Sequence, residues 1–74
     1  MSPDERILLY LWTSIAERGG TGRRLGRIQV EMVGPYVEDS EFRAAIRRLV
    51  QAGSITLDEA FPGMVYAVPV EAQA

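Results

Sequence analysis

One stretch, VEDSEFRAAIRRLVQAGSI from Val37 to Ile55, constrains this chain more than any other. Phe42, Ala45, Ile46, Leu49 and Val50 recur at i, i+3, i+4, i+7 and i+8, which lines one face of an α-helix with apolar side chains. Ser40 marks the start as the expected cap of the first turn. Glu38, Asp39 and Glu41 put negative charge at the positive end of the helix dipole. Gly53 marks the stop, where a left-handed residue commonly closes a helix. The pattern predicts a helix over 39–52 with one face in a core. The other face carries Arg43, Ala44, Arg47, Arg48 and Gln51, with Arg43 and Arg47 one turn apart. A short helix of that kind suits a DNA groove.

The remaining 55 or so positions must supply the rest of that core. Seventy-four residues allow one domain, 1–74, with its compact part over about 4–70. Hydrophobic content of 47% suffices for one core and argues against disorder. With neither cysteine nor histidine, the chain has no disulfides, thiolate metal sites, thiol nucleophiles or imidazole acid–base chemistry. The lack of cysteine suits a cytoplasmic protein. No apolar run approaches ~20 residues and the first residues are acidic, so neither a membrane span nor a signal peptide is expected.

Net charge is −2, against a nucleic-acid binder held by bulk electrostatics, but the charge is unevenly spread. Residues 18–30 hold Arg18, Arg23, Arg24 and Arg27 and no acid, whereas residues 31–74 set three arginines against seven acids. All eight basic residues are arginine. Codon bias is one source of that preference. The bidentate fork of the guanidinium is the functional one.

At the N-terminus, Ser2 is a cap, Pro3 suits the first helical position, and Asp4 and Glu5 follow in the first turn. This helix should run to Glu17 or Arg18 and stop at Gly19-Gly20, with Leu8, Leu11, Trp12 and Ile15 as its core stripe. Residues 7–12, ILLYLW, are all apolar, and six consecutive residues cannot face one core. Ile7 and Tyr10, with Leu9 beside them, therefore form a second apolar strip. Other elements cover it, or it is the surface for a homodimer or a protein partner.

GGTGRRLG reads as a flexible connector. Its Gly20-x-Gly22-x-x-x-Gly26 spacing is one residue off a dinucleotide fingerprint. No strand precedes it and no lysine serves a phosphate loop, so nucleotide binding is set aside. With Arg23, Arg24 and Arg27 the segment suits a phosphate backbone or another acidic surface, and a plain solvated connector equally well. Residues 25–33, LGRIQVEMV, fit two structures. Leu25, Ile28 and Met32 fit a helical face, while Ile28, Val30 and Met32 alternate as in a strand. A short helix is preferred because the fold below needs one there. Gly34-Pro35 ends the element either way.

After Gly53, Ser54–Leu57 reads as a strand with Ile55 and Leu57 on one face. Phe61-Pro62-Gly63-Met64 reads as a turn. Met64–Val70 reads as a returning strand with Met64, Tyr66, Val68 and Val70 on one face, and Pro69 places that end at a sheet edge. The last four residues should fray.

Helix, helix, a capped helix ending L-x-x-x-G-x-I at Leu49, Gly53 and Ile55, then Phe61-Pro62-Gly63 and Tyr66 on a returning strand: this succession resembles the winged helix-turn-helix superfamily. The resemblance spans roughly Asp4 to Val70. It implies an α+β fold, a small winged helix of three helices followed by a C-terminal two-stranded β-hairpin wing. In such domains the third helix enters the major groove of double-stranded DNA and the wing often touches the backbone. On this chain it makes Ser40, Arg43, Ala44, Arg47 and Arg48 the groove-facing residues, with Arg23, Arg24 and Arg27 as further DNA contacts. Asp58 and Glu59 at the expected wing tip depart from the pattern, since they repel phosphate. Domains that bind left-handed nucleic acid carry asparagine and tyrosine where Arg43 and Arg47 stand, so the chain departs from that subfamily at both positions.

The expected function is a small DNA-binding transcriptional regulator, dimeric because one module makes few phosphate contacts. The alternative is a winged-helix protein-interaction module, an adaptor or inhibitor of a larger nucleic-acid-processing complex, using Ile7, Leu9 and Tyr10. No enzyme is expected, because Asp58-Glu59 are joined by no electrophile-stabilising or metal constellation. No cofactor, metal or small-molecule substrate is indicated.

Overall fold

The computed structural model describes residues 1–60 and 63–73. The elements run α1 (Pro3–Arg18), β1 (Gly22–Arg24), α2 (Leu25–Met32), α3 (Asp39–Gln51), β2 (Ile55–Asp58), β3 (Met64–Ala67) and a closing 3₁₀ turn (Val70–Ala72). This is an α+β domain, consistent with a winged-helix-like layout. Its sheet has three strands where two were expected.

The start of α1 is a capping box. The Glu5 N–H donates to the Ser2 hydroxyl at 3.1 Å, and the Glu5 carboxylate accepts the Ser2 N–H at 3.0 Å. The helix stops at Gly19, at φ 82, whose N–H donates to the Ile15 carbonyl. Its buried residues are Ile7, Leu11 and Ser14, not the expected stripe of Leu8, Leu11, Trp12 and Ile15. Leu8, Tyr10 and Ile15 are half-buried on the flanks, and Trp12 and Leu9 face out. Apolar residues encircle this helix, so periodicity does not select a side. The polar Ser14 at a core position disguised the stripe that the fold uses.

The glycine-rich segment is no loose connector. Gly22–Arg24 forms an antiparallel strand on β3, in the register Gly22↔Tyr66, Arg23↔Val65 and Arg24↔Met64. Gly22 permits this approach, because a Cβ there would stand 2.6 Å from both the Tyr66 ring and the Val65 carbonyl oxygen. On its other edge β3 pairs with β2, giving the order β1-β3-β2.

Residues 25–32 are helical. Ile28 and Met32, one turn apart, are buried, whereas Val30 between them is 75% exposed, which excludes the strand reading. The chain then turns through Gly34, with the amides of Tyr36 and Val37 donating to the Met32 carbonyl, and buries Val37 ahead of α3.

The N-cap of α3 is Glu38 rather than Ser40, which lies exposed within the first turn. The cap position favours Glu38 because Glu41 follows three residues later and accepts the Glu38 N–H at 3.1 Å. Three residues after Ser40 stands Arg43, which offers no acceptor. Phe42, Ala45, Ile46 and Leu49 are buried as expected, but Val50 is 39% exposed at the margin. The C-terminus closes on Gly53 at φ 78, with Gly53 donating to the Val50 carbonyl and Ser54 to that of Leu49.

Strand β2 buries Ile55 and half-buries Leu57. Strand β3 ends at Ala67, three residues short of the expected Val70, and Val70 is 80% exposed. Pro69 lacks a donor for the ladder and instead precedes the 3₁₀ turn over Val70–Ala72. The expected turn at Phe61-Pro62 lies outside the described residues. The core joins Ile7 and Leu11 of α1, Ile28 and Met32 of α2, four residues of α3, Val37, Ile55 and Val65.

Candidate nucleic-acid interface

Helix α3 turns its buried stripe toward α1, α2 and β2. Ser40, Ala44, Arg47 and Gln51, at i, i+4, i+7 and i+11, lie on the opposite side as one outward ridge. Arg47 projects from it exposed, with no ion pair among the described residues. Ala44, at the middle of the ridge, is half-buried and adds no bulk.

Arg43 flanks the ridge on the side of α2. Its Nε lies 2.9 Å from Asp39 Oδ2, with both side chains substantially exposed. The other oxygen, Asp39 Oδ1, accepts from Gln29 Nε2 of α2 at 2.9 Å. Asp39 therefore bridges α2 to Arg43 and orients the guanidinium. An exposed i, i+4 pair holds by only ~0.3–0.5 kcal/mol, so a stronger acceptor takes Arg43 readily.

Arg48, expected on the groove-facing side, is engaged by α1 instead. Its Nη2 lies 2.7 Å from Asp4 Oδ1 and its Nε 3.0 Å from Asp4 Oδ2, a bidentate pair that ties α3 to α1. The hydrogen bond from Arg48 holds the Asp4 carboxyl below the ordinary carboxylate range, and the same bond raises Arg48.

Arg23 is likewise committed. It donates from Nε to the Ser14 hydroxyl at 2.6 Å and from Nη2 to the carbonyls of Ser14 (2.8 Å) and Gly19 (2.9 Å). Its Nη1 reaches its own neighbour, the Gly22 carbonyl, at 2.6 Å. The guanidinium thus satisfies carbonyls at the negative end of α1 and pairs Ser14, the one buried polar side chain among the described residues. Arg24 is exposed without an ion pair among the described residues, and Arg27 lies 3.4 Å from Glu31 on the surface of α2. No hydrogen bond or ion pair among the described residues joins Arg24 or Arg27 to α3.

The expected partner strip changes in the same way. Ile7 is fully buried and presents nothing to a partner, because it belongs to the α1 core stripe. Leu9 is 55% exposed and Tyr10 is half-buried. They border an open groove of about 450 Å³, floored by Met32 and walled by Tyr36 from the α2–α3 turn. The Arg6 guanidinium stands 5.5 Å over the Tyr36 ring across one end. At the wing, Asp58 and Glu59 are exposed, and Asp58 Oδ1 accepts the Ala60 N–H at 3.0 Å.

Gln29, Asp39, Ser14 and Asp4 had no assigned site role in the sequence. The i, i+4 spacing of Asp39 and Arg43 was a signal for one pair, whereas Asp4–Arg48 and Ser14–Arg23 need tertiary structure. Among the described residues no cluster of acids is placed to hold a metal, and no helix is long and apolar enough to cross a membrane. No family model matches the chain, and no curated protein or solved structure matches it either.

Proposed function

We propose that this chain is a small winged-helix DNA-binding protein, a cytoplasmic transcriptional regulator that reads the major groove of double-stranded DNA with α3. Arg47 carries the reading. It is a guanidinium without an ion pair among the described residues, on a ridge whose other members, Ser40, Ala44 and Gln51, are small or amide-bearing, so the backbone of α3 is free to approach base edges. A bidentate arginine contact to guanine O6 and N7 discriminates by ~1–3 kcal/mol. Arg43, turned by Asp39, is the second contact, and Arg24 and Arg27 supply phosphate contacts. Arg23 and Arg48 brace the fold and make none. Two of the three acids at the start of α3 keep a partner within the fold: Glu41 accepts from the Glu38 amide and Asp39 from Gln29. They therefore oppose phosphate less than their number suggests.

The test is fluorescence anisotropy on labelled duplex DNA at ~50 and ~200 mM salt. Affinity should fall steeply with salt and again on Arg47→Ala. No binding at the lower salt overturns the reading.

A second reading, a protein-interaction module, is favoured by the α1 groove and the acidic wing. Its test is capture of a protein partner lost on Leu9→Glu, with the fold intact by circular dichroism. Retained capture counts against that surface.

A further inference from the structure

The outer side of α1 has a pattern that the core does not use. Glu5, Leu9, Trp12 and Ala16 are spaced 4-3-4, the spacing of a coiled-coil seam. Leu9 is 55% exposed and Trp12 40%, and Ala16 is exposed beside them. Ile7 and Ser14 lie diametrically opposite, in the core. The seam and the core stripe are back to back.

We infer that a second copy of this chain covers this seam, with the two α1 helices antiparallel about a two-fold axis. Charge on the flank decides both the occupant and the direction. Arg6 and Glu17 lie on the same flank of the seam, and among the described residues neither has an ion-pair partner. Arg6 is held there by the Tyr36 ring. A two-fold axis turns that flank onto itself. In the register that sets Leu9 against the partner's Trp12, Arg6 comes within about 3 Å, along the helix axis, of the partner's Glu17, at 1.5 Å of rise per residue. The reciprocal pair forms at the other end. A parallel two-fold pair would instead put the Arg6–Glu17 flanks of the two copies on opposite sides of the seam, where they cannot pair. Glu5 falls at the ends of the seam, opposite Ala16, where it keeps its water. The seam is short, so the dimer exchanges with monomer on dilution. This inference rests on α1 alone and not on DNA binding by α3, so either fails without the other.

Trp12 is the sole tryptophan and reports its own burial. Sedimentation velocity and tryptophan emission are followed together over a dilution series of the full chain at low salt. The expected result is a rise from one chain mass to two, with emission shifting to the blue in step. Leu9→Glu should remain monomeric with unchanged circular dichroism. Arg6→Glu should weaken pairing roughly tenfold, from two exposed pairs of ~0.2–1 kcal/mol each turned repulsive. Adding Glu17→Arg should restore it, which also serves if Leu9→Glu fails to fold. A chain monomeric to millimolar concentration overturns the inference. So does doubling of mass with Trp12 emission unmoved, or Arg6→Glu pairing as tightly as wild type.

Discussion

The guanidinium of Arg48 grips both carboxylate oxygens of Asp4, at 2.7 and 3.0 Å, and so fastens the last turn of α3 to the first turn of α1. An arginine that stands among groove-facing residues in the sequence is a brace in the fold. Bidentate geometry lifts such a pair above the ordinary surface ion pair, although solvent still screens it.

That pair has a pH signature. Asp4 is held low by Arg48, and Glu5 is held low by the Ser2 amide and hydroxyl. A carboxylate whose folded pKa lies below its unfolded value stabilises the fold above the unfolded pKa, about 4, and loses that contribution as pH falls through the folded one. Urea midpoints measured from pH 7 down to pH 2 should therefore drop in the acid range. Asp4→Asn should start lower at pH 7 and fall less steeply. Arg48→Ala should behave the same way and leave DNA affinity unchanged.

Arg23 seals the C-terminal end of α1 through three donated hydrogen bonds, to the Ser14 hydroxyl and the Ser14 and Gly19 carbonyls, and a fourth reaches the Gly22 carbonyl. Arg23→Ala leaves Ser14 and several carbonyls without their charged donor, an expected loss of about 1–3 kcal/mol. The neighbouring Arg24→Ala, exposed and unpaired, should fall within ~0.5 kcal/mol of wild type. Equilibrium urea unfolding, with the m-value held constant, separates the two.

Gly22→Ala places a Cβ 2.6 Å from the Tyr66 ring and from a backbone carbonyl that has nowhere to go. Loss of β1 pairing should cost about 1–3 kcal/mol. The check is hydrogen exchange: the amides through which β3 pairs with β1 should lose protection before those that pair with β2.

In DNA binding, Arg47→Ala should weaken affinity by about 1–3 kcal/mol at preferred sites, and Arg27→Ala by less and uniformly across sequences, each with a salt slope lower by about one. Titration of the two variants against several duplexes distinguishes base reading from backbone contact.

Three helix ends were legible because their signals are local, whereas at the start of α3 Glu38 takes the cap expected of Ser40. Ser2 with Glu5 opens α1, Gly19 closes it, and Gly53 closes α3, each within a few residues of what it caps. The α2 segment resolved as a helix because Val30 could be left in water once Ile28 and Met32 were buried. Less was legible where the decisive partner is distant. Gly22–Arg24 has no alternation of its own and is a strand only because Met64–Tyr66 lie beside it. The orientation of α1 depends on Ser14, whose burial makes sense only with Arg23 in place. The arginine face was half legible: Arg47 and Arg43 stand where periodicity puts them, while the partner of Arg48 lies 44 residues earlier in the chain.

The strand order β1-β3-β2 also sets a timetable for synthesis. The first strand made borders the last, so Gly22–Arg24 waits unpaired until Met64–Tyr66 has cleared the ribosome. The three helices precede β3 in the chain, but the sheet closes only once β3 has emerged. A stalled or nicked chain ending before Val65 lacks a fully buried side chain as well as the middle strand, and becomes a substrate for proteolysis rather than a smaller working domain.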